Sequence, residues 1–334
     1  MTEVLLKARP TKAQLADRMS DPVPPGLELY LDTRDVGDLD RLEKLAVRLN
    51  ELRPHPGFVY VVEGPLRSLD GAFFDVSADS EAQRECVRRI AWLASEIRAE
   101  AVLIHAIAPR KLSPSLTHEM RVATLQASLP FVQYYVELIQ SRGMVPMLEN
   151  IPPVARQREA TFMCTPIGMS ASDLVFFARR FPGLKVTVDV SHAQLFLNGL
   201  RIGRGTVGSD MSDTSDVSGV SDRLDRGKGQ ALVPQGLEPL VGYLSSLGDE
   251  PTMDAYLSEL DPYLFEAHIS NARGLLDEGL PYGVGDMDLD RVAVRLSRSV
   301  HYLVTETIEP DANRGSYMRE AQRRLEAALA AASR

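Results

Sequence analysis

Residues 186–192 read Val-Thr-Val-Asp-Val-Ser-His, an apolar run that ends in Asp189 and, three residues later, His192. This pattern predicts a buried strand that becomes polar where a loop begins. Three other apolar runs end in the same way, at Glu149, His268 and Glu306. A fold that gathers strand ends on one face would bring these side chains together, and a parallel barrel does so.

Eight short apolar runs alternate with amphipathic segments along the chain. As predicted strands they cover about residues 3–8, 26–31, 58–62, 101–104, 145–148, 186–189, 264–268 and 301–305. Most of the polar residues at their ends recur every 35 to 44 positions, the length of one βα unit. This alternation predicts an α/β fold, a (β/α)8 TIM barrel. A doubly wound sheet is less suitable because no Gly-x-Gly-x-x-Gly motif follows the first strand.

Two of the predicted helices give boundaries that a structure can test. After Asp38, apolar residues from Leu39 to Leu52 recur at three- and four-residue spacing, which predicts an amphipathic helix lying on a sheet. A single long helix is predicted from about 116 to 141, with Gly143 in the position of a left-handed cap.

One interval between strand ends is too long for a single βα unit. Asp189 and His268 are 79 positions apart, and residues from about 203 to 230 within that interval are rich in Gly, Ser and Asp. Such a composition buries too little apolar surface to offset its ordering entropy, so we expect a mobile insertion between strands six and seven. We therefore predict a single barrel domain over residues 1–334 with an insertion at about 203–250.

The composition is that of a soluble globular protein, with 44% hydrophobic and 25% charged residues among 334. A formal net charge of −9 disfavours nucleic acid and membrane partners and favours a small polar substrate or a cation. The two cysteines, Cys86 and Cys164, form no Cys-x-x-Cys motif, so we expect no disulfide framework and a cytoplasmic location. No signal peptide or membrane span is expected, and a homo-oligomer is compatible with the sequence.

The four strand-end residues Glu149, Asp189, His268 and Glu306 supply three carboxylates and one imidazole. This donor set suits a divalent ion such as Mn²⁺, Mg²⁺, Co²⁺ or Zn²⁺ without choosing among them. Each residue alone has a simpler interpretation as a helix cap or half of an ion pair. Their recurrence at four consecutive strand ends favours a metal site. His192 is placed to reach a substrate oxygen or a second metal, although alone it is typical of a loop histidine bonded to backbone.

Four motifs give the chain a resemblance to a known superfamily: Leu148-Glu149-Asn150, Asp189-Val-Ser-His192, His268-Ile-Ser-Asn271 and the glycine loop at residues 283–289. In these motifs the chain resembles the xylose-isomerase-like TIM barrels, which include sugar (phosphate) isomerases and epimerases, inosose dehydratase and the endonuclease IV group. The resemblance covers strands five to eight in sequence and strands one to four in architecture alone. The glycine loop departs at Val284, where the family often has Glu.

The resemblance implies a site and a mechanism. In the epimerase branch, the residues matching Glu149, Asp189, His268 and Glu306 bind one divalent ion. The two that match the glutamates also stand on opposite faces of the substrate as proton donor and acceptor. We further predict substrate-binding roles for Glu63, His105, Asn150 and His192.

The predicted function is that of a metal-dependent isomerase or epimerase acting on a small polyhydroxylated substrate. An inosose-type dehydratase would share the metal and the first proton abstraction. An endonuclease-IV-like phosphodiesterase would need a histidine where Glu63 stands and an Asp-x-His motif where Asp277-Glu-Gly279 stands. A non-catalytic accessory barrel is the remaining alternative, and metal content would distinguish it.

Overall fold

The computed structural model describes residues 2–111, 116–156, 162–204, 236–248 and 251–332. Its described strands, numbered in chain order, are β1 (Glu3–Ala8), β2 (Gly26–Tyr30), β3 (Val59–Glu63), β4 (Ala101–His105), β5 (Val145–Glu149), β6 (Val154–Arg156), β7 (Phe162–Cys164), β8 (Lys185–Asp189), β9 (Leu264–Ile269), β10 (Asn271–Arg273), β11 (Asp277–Leu280) and β12 (Tyr302–Thr305).

Eight of these strands close into a barrel in which every neighbouring pair is parallel. The order around the barrel is β1-β2-β3-β4-β5-β8-β9-β12, and β12 pairs with β1 to close it. All eight coincide with the predicted strands apart from small differences at their ends. The predicted (β/α)8 TIM-barrel fold is confirmed.

Helices surround the barrel between consecutive strands. The described helices are α1 (Lys12–Arg18), α2 (Thr33–Val36), α3 (Leu39–Leu52), α4 (Glu81–Glu96), α5 (His118–Ala127), α6 (Leu129–Ser141), α7 (Ala171–Arg180), α8 (Val190–Gly203), α9 (Glu238–Ser245), α10 (Met253–Leu260), α11 (Leu289–Leu296) and α12 (Ser316–Ala332). No described helix is long and apolar enough to cross a membrane.

Helix α3 shows how local sequence sets an element. The Asp38 side chain accepts a hydrogen bond from the Arg41 amide at 3.3 Å and caps the first turn. The helix buries Leu42, Leu45, Ala46 and Leu49. Its two terminal leucines, Leu39 and Leu52, are 53% and 42% exposed, so the predicted apolar face is shorter than the sequence pattern indicates.

The single helix predicted from 116 to 141 is wrong, because the structure has two helices that meet at Ser128. Pro130 has no amide hydrogen and its ring crowds the preceding turn, so one continuous helix cannot run through this position. The end of the pair is as predicted, with Gly143 in the left-handed region at φ 75°. Four described features have no counterpart in the predicted elements: helices α2 and α8 and the antiparallel hairpins β6–β7 and β10–β11.

The barrel interior alternates between an apolar layer and a polar one. Leu5, Val61, Leu103, Met147 and Val304 belong to a buried apolar cluster inside the barrel. Successive side chains of a strand point to opposite faces, so residues two positions further on also point inward. Those residues are Lys7, Glu63, His105, Glu149 and Glu306. The carboxyl end of the barrel interior is therefore lined by ionisable side chains.

The predicted Gly/Ser/Asp-rich insertion lies mostly outside the described residues, between residues 205 and 235. On either side of it, α8 and α9 pack together, with the Gly199 backbone so close to Leu244 that an added Cβ would lie 2.5 Å from its side chain.

Candidate active site

Eight side chains, one from each barrel strand or the residue directly after it, form what we call the polar layer at the carboxyl end of the barrel. Six of them are at least 90% buried, and His105 and Glu306 are partly exposed. The layer consists of Lys7, Glu28, Glu63, His105, Glu149, Asp189, His268 and Glu306. Its five carboxylates face a single ammonium group, an excess of negative charge that favours binding of cations.

The structure brings together the four predicted metal ligands, Glu149, Asp189, His268 and Glu306, which we call the quartet. One donor atom from each lies within 4.8 Å of the other three. His268 Nδ1 lies 3.3 Å from a Glu149 oxygen and 2.5 Å from a Glu306 oxygen. An ion with bonds of 2.0 to 2.3 Å separates opposite ligands by roughly 4.0 to 4.6 Å. Small side-chain rotations would therefore allow all four residues to coordinate the same ion. Their role as metal ligands stays a prediction.

Several quartet atoms lack hydrogen-bond partners. Both Glu149 oxygens, His268 Nδ1 and Glu306 Oε2 are buried without an aligned donor or acceptor. His268 Nδ1 lies close to Glu149 and Glu306, but these contacts do not have the alignment of hydrogen bonds. Unpaired buried polar atoms are costly, and a cation coordinated by them would remove that cost. The donor set and its unpaired atoms fit a divalent ion.

Glu28 fixes which nitrogen of His268 faces the quartet. The His268 Nε2 and Glu28 Oε2 atoms are 2.8 Å apart, and both side chains are fully buried. Burial would raise the pKa of Glu28, but His268 and Lys7 lower it to about 2, so this carboxylate is ionised. With Nε2 donating to Glu28, Nδ1 is left as the nitrogen available to a metal, an arrangement common in protein metal sites.

Asp189 caps α8 and faces the quartet at the same time. Its Oδ1 accepts a hydrogen bond from the His192 amide at 2.8 Å. The Asn150 amide group donates to the Asp189 carbonyl at 2.9 Å and accepts from the Asp189 amide at 2.7 Å. These bonds give Asn150 a positioning role, since both ends of its side chain hold the Asp189 backbone. Direct contact between Asn150 and substrate stays a prediction.

His192 lies beside the quartet on the first turn of α8. Its Nδ1 donates to the Asn150 carbonyl at 2.9 Å. Its Nε2 lies 3.5 Å from Glu278 and 3.7 Å from Asp189. Burial would lower the pKa of His192, but Asp189 and Glu278 outweigh it and raise the pKa to about 10. His192 is therefore a charged donor at the edge of the site.

His105 and Glu63 lie on the other side of Glu149. His105 Nε2 is 3.5 Å from a Glu63 oxygen and 3.4 Å from a Glu149 oxygen. Burial lowers the pKa of His105 and raises that of Glu63. Both predicted substrate-binding residues therefore border the quartet, and their contact with substrate stays a prediction.

Sequence reasoning missed four residues of this site: Glu28, described above, and three others. Lys7 is the most important, because it is the single ammonium of the polar layer and is 7% exposed. Its pattern was visible, since Lys7 is the only charged residue inside the apolar run of residues 4–8. Glu266 lies below His268 on β9, and Glu278 reaches His192 from the β10–β11 hairpin. Nothing in the sequence near Glu278 indicates that contact.

Comparisons with known proteins support the fold. Neither a family model nor a curated protein matches the sequence. Among solved structures, a D-tagatose 3-epimerase-like protein matches with a TM-score of 0.61 at 14% identity, covering 99% of both chains. D-psicose 3-epimerase from Clostridium cellulolyticum matches at 0.54 and 10%, covering 100% of this chain and 98% of that one. Endonuclease IV from Thermus thermophilus matches at 0.54 and 14%, covering 97% and 99%. These similarities agree with the predicted TIM-barrel fold.

Proposed function

We propose that this xylose-isomerase-like barrel is a divalent-metal-dependent isomerase or epimerase of a small polyhydroxylated substrate, with Glu149 and Glu306 as the proton-transferring residues. The observation that carries the proposal is the convergence of the quartet, in which both Glu149 oxygens, Glu306 Oε2 and His268 Nδ1 are buried without hydrogen-bond partners. Structural neighbours whose names are those of ketose 3-epimerases agree with it.

In this proposal the quartet holds the ion, and the open end of the barrel admits the substrate. A bound divalent ion would polarise a carbonyl and its neighbouring hydroxyl, which lowers the cost of removing the carbon-bound proton. Asp189 and His268 serve only as metal ligands and do not transfer protons. Glu149 and Glu306 each have two oxygens, so each can combine a ligand role with proton transfer.

The two glutamates approach the substrate from different directions. Glu149 ends β5 and Glu306 follows β12, three strands further around the barrel. One carboxylate accepts the proton while the electron pair of the broken C–H bond stays on the substrate. The other, having first taken up a proton from solvent, returns that proton to the opposite face of the same carbon. The Glu306 side chain is 29% exposed, so it can exchange protons with solvent between turnovers.

Both glutamates are held in the basic form. Burial would raise the pKa of Glu306, but Lys7 and His268 hold it well below its usual range. Burial would also raise the pKa of Glu149, and His105 and His268 lower it. Each is therefore ionised near neutral pH and suited to accept a proton.

The deciding experiment replaces Glu306 with Gln, which keeps the shape and removes the charge and the basic oxygen. We expect Glu306→Gln to fold normally and retain some metal. It should lose roughly 10²- to 10⁴-fold in turnover, the usual contribution of general acid–base catalysis. It should also lose most exchange of the substrate carbon-bound proton with deuterium. The substrate comes first from a screen of ketoses, inososes and their phosphates with Mn²⁺.

The matched control is Glu309→Gln, three residues further along the same loop. Glu309 accepts hydrogen bonds from Ser316 and Met318 outside the polar layer, so this variant should keep its activity. Near-wild-type deuterium exchange in both Glu149→Gln and Glu306→Gln would rule out the two-glutamate mechanism. His105, whose pKa burial lowers, would then be the next candidate base, ahead of the charged His192.

Product analysis separates the closest alternative, an inosose-type dehydratase. A dehydratase shares the first proton abstraction but expels a β-hydroxyl, so its product is lighter by one water.

A phosphodiesterase is the second candidate, because endonuclease IV is a structural neighbour. The charges of the site argue against it. Within the polar layer of the described residues, the only ammonium is Lys7, and carboxylates surround it, so it is not free to bind a phosphate group. Cleavage of abasic-site DNA by the metal-loaded protein would nevertheless replace the isomerase proposal.

A further inference from the structure

Lys7 lies among three carboxylates of the polar layer. Its Nζ is 3.2 Å from Glu28 and 2.5 Å from Glu306, and it also forms an ion pair with Glu63. Lys7 donates a hydrogen bond to Glu306, whereas its contacts with Glu28 and Glu63 are ion pairs without hydrogen-bond alignment. The Lys7 side chain is 8% exposed, which leaves little room for water to replace these partners.

Two of the three carboxylates divide their oxygens between Lys7 and His268. Glu28 gives Oε1 to Lys7 and Oε2 to His268 Nε2. Glu306 gives Oε1 to Lys7, and its Oε2 lies next to His268 Nδ1. An ion in the quartet would therefore use Glu306 Oε2 and leave the Lys7–Glu306 ion pair in place, and the second lone pair of Oε1 would remain for proton transfer.

The third carboxylate, Glu63, belongs to a second set of metal-competent residues. Donor atoms of Glu63, His105 and Glu149 lie within 4.8 Å of one another, and this set shares Glu149 with the quartet. His105 faces Glu63 Oε1, and Lys7 holds Glu63 Oε2. A dication bound by Glu63 would have to share this carboxylate with the ammonium and would be repelled by it.

We infer that Lys7 occupies the place of a metal ion beside Glu28 and Glu63. It thereby limits the polar layer to one divalent ion, which the quartet binds. This inference rests on the proposed function, because it assumes that the quartet binds an ion. Lys7 thereby sets metal stoichiometry: its one positive charge is shared by Glu28, Glu63 and Glu306, and its repulsion of a second cation keeps the Glu63–His105–Glu149 set free of metal.

The test counts ions in the wild type and in Lys7→Met, which keeps the length of the side chain and removes its charge. Each metal-free protein is equilibrated with Mn²⁺ and desalted, and bound manganese is measured by inductively coupled plasma mass spectrometry. We expect one ion per wild-type chain and two per Lys7→Met chain. Because both ions would share Glu149, the electron paramagnetic resonance spectrum of the variant should show exchange-coupled manganese.

Two further variants locate the second ion. Adding His105→Ala to Lys7→Met should return the count to one, because it removes a ligand of the second set only. Lys185→Met is the matched control, since Lys185 begins β8 at the opposite end of the barrel and its loss should leave one ion. Circular dichroism establishes that each variant folds, and Lys7→Gln replaces Lys7→Met if the latter does not.

The possible counts separate this inference from the proposed function. One ion in both the wild type and Lys7→Met would overturn the role of Lys7 and leave the quartet site intact. Two ions in the wild type would also overturn it, even if no Lys7 variant folds. No ion in the wild type would remove the proposed metal site, and the inference with it.

Discussion

The side chain of His268 faces the quartet with a defined nitrogen because Glu28 holds the opposite one. This contact joins β2 to β9, strands that are far apart in sequence and not neighbours in the barrel. A metal-binding histidine depends on such a partner for its tautomer, its orientation and its basicity. Glu28 therefore belongs to the site although it is not in the quartet.

We predict that Glu28→Gln weakens divalent-ion binding by roughly 10- to 100-fold, because the variant keeps the shape of Glu28 and loses the charge opposite Nε2. Titration of the metal-free protein with Co²⁺ would measure the change. Glu100→Gln is the control, because Glu100 precedes β4 at the opposite end of the barrel and is exposed. Equal affinities in the wild type and Glu28→Gln would show that the charge of Glu28 does not contribute to metal binding.

Gly168 occupies a position that no other residue fits. Its φ is +85°, and an added Cβ would lie 2.1 Å from the Ala106 carbonyl oxygen. Its amide also donates to the buried Asp173 carboxylate at 2.9 Å. A side chain here must therefore displace backbone in addition to adopting a strained conformation.

We predict that Gly168→Ala lowers the free energy of unfolding by more than about 2 kcal/mol, the combined effect of left-handed strain and the clash. Gly143→Ala separates the two causes. Gly143 has φ +75° with nothing within 4 Å of an added Cβ, so strain alone should cost about 1 kcal/mol there. Urea denaturation measures both values, and equal losses would contradict the clash.

At the scale of elements, Tyr135 connects α6 to two barrel strands. Its hydroxyl donates to the Val102 carbonyl of β4 at 2.5 Å. The same oxygen accepts from the Met147 amide of β5 at 3.1 Å. The side chain is fully buried, so these backbone groups have no water to replace it. The helix is thereby fixed against the pair of strands that carries His105 and Glu149.

We predict that Tyr135→Phe lowers the free energy of unfolding by about 1 to 3 kcal/mol, because it leaves buried backbone groups unpaired. Tyr134→Phe is the matched control. The Tyr134 hydroxyl accepts a hydrogen bond from Arg88 at 3.2 Å in a partly exposed position, so its loss should cost less than about 0.5 kcal/mol. Thermal melts followed by circular dichroism would compare them, and similar losses would show that the Tyr135 hydroxyl is not a structural tie.

At the scale of the whole molecule, the barrel is complete without the Gly/Ser/Asp-rich segment. All eight strands lie among the described residues, and β8 pairs directly with β9 across the insertion. Helices α8 and α9 pack on each other on either side of it. No barrel contact of the described residues therefore requires the intervening chain.

We predict that deleting residues 205–230 leaves a cooperative thermal transition close to that of the full chain, because low-complexity composition contributes little buried apolar surface. Loss of the transition would show that the segment is structural. A normal transition with lost turnover would instead show that the segment acts on the site, as a lid does.

The sequence alone determined the barrel and the quartet. Strand alternation and the βα interval are local patterns, because the side-chain period of two and the length of one unit do not depend on distant contacts. Parallel strands also end on one face of a barrel, so placing Glu149, Asp189, His268 and Glu306 at strand ends was enough to predict that they meet. The break between α5 and α6 was missed although Pro130 indicates it.

Only the tertiary structure decided how the polar layer is connected. Lys7 reads as one polar residue in an apolar strand, and its three carboxylate partners come from β2, from β3 and from the residue after β12. Which residues meet across a barrel depends on strand tilt and register, which the pattern within any one strand does not contain. The same holds for Asn150, whose side chain holds the Asp189 backbone, a contact that the sequence does not indicate. Local sequence thus specifies which residues reach the site, and long-range register specifies what each one touches there.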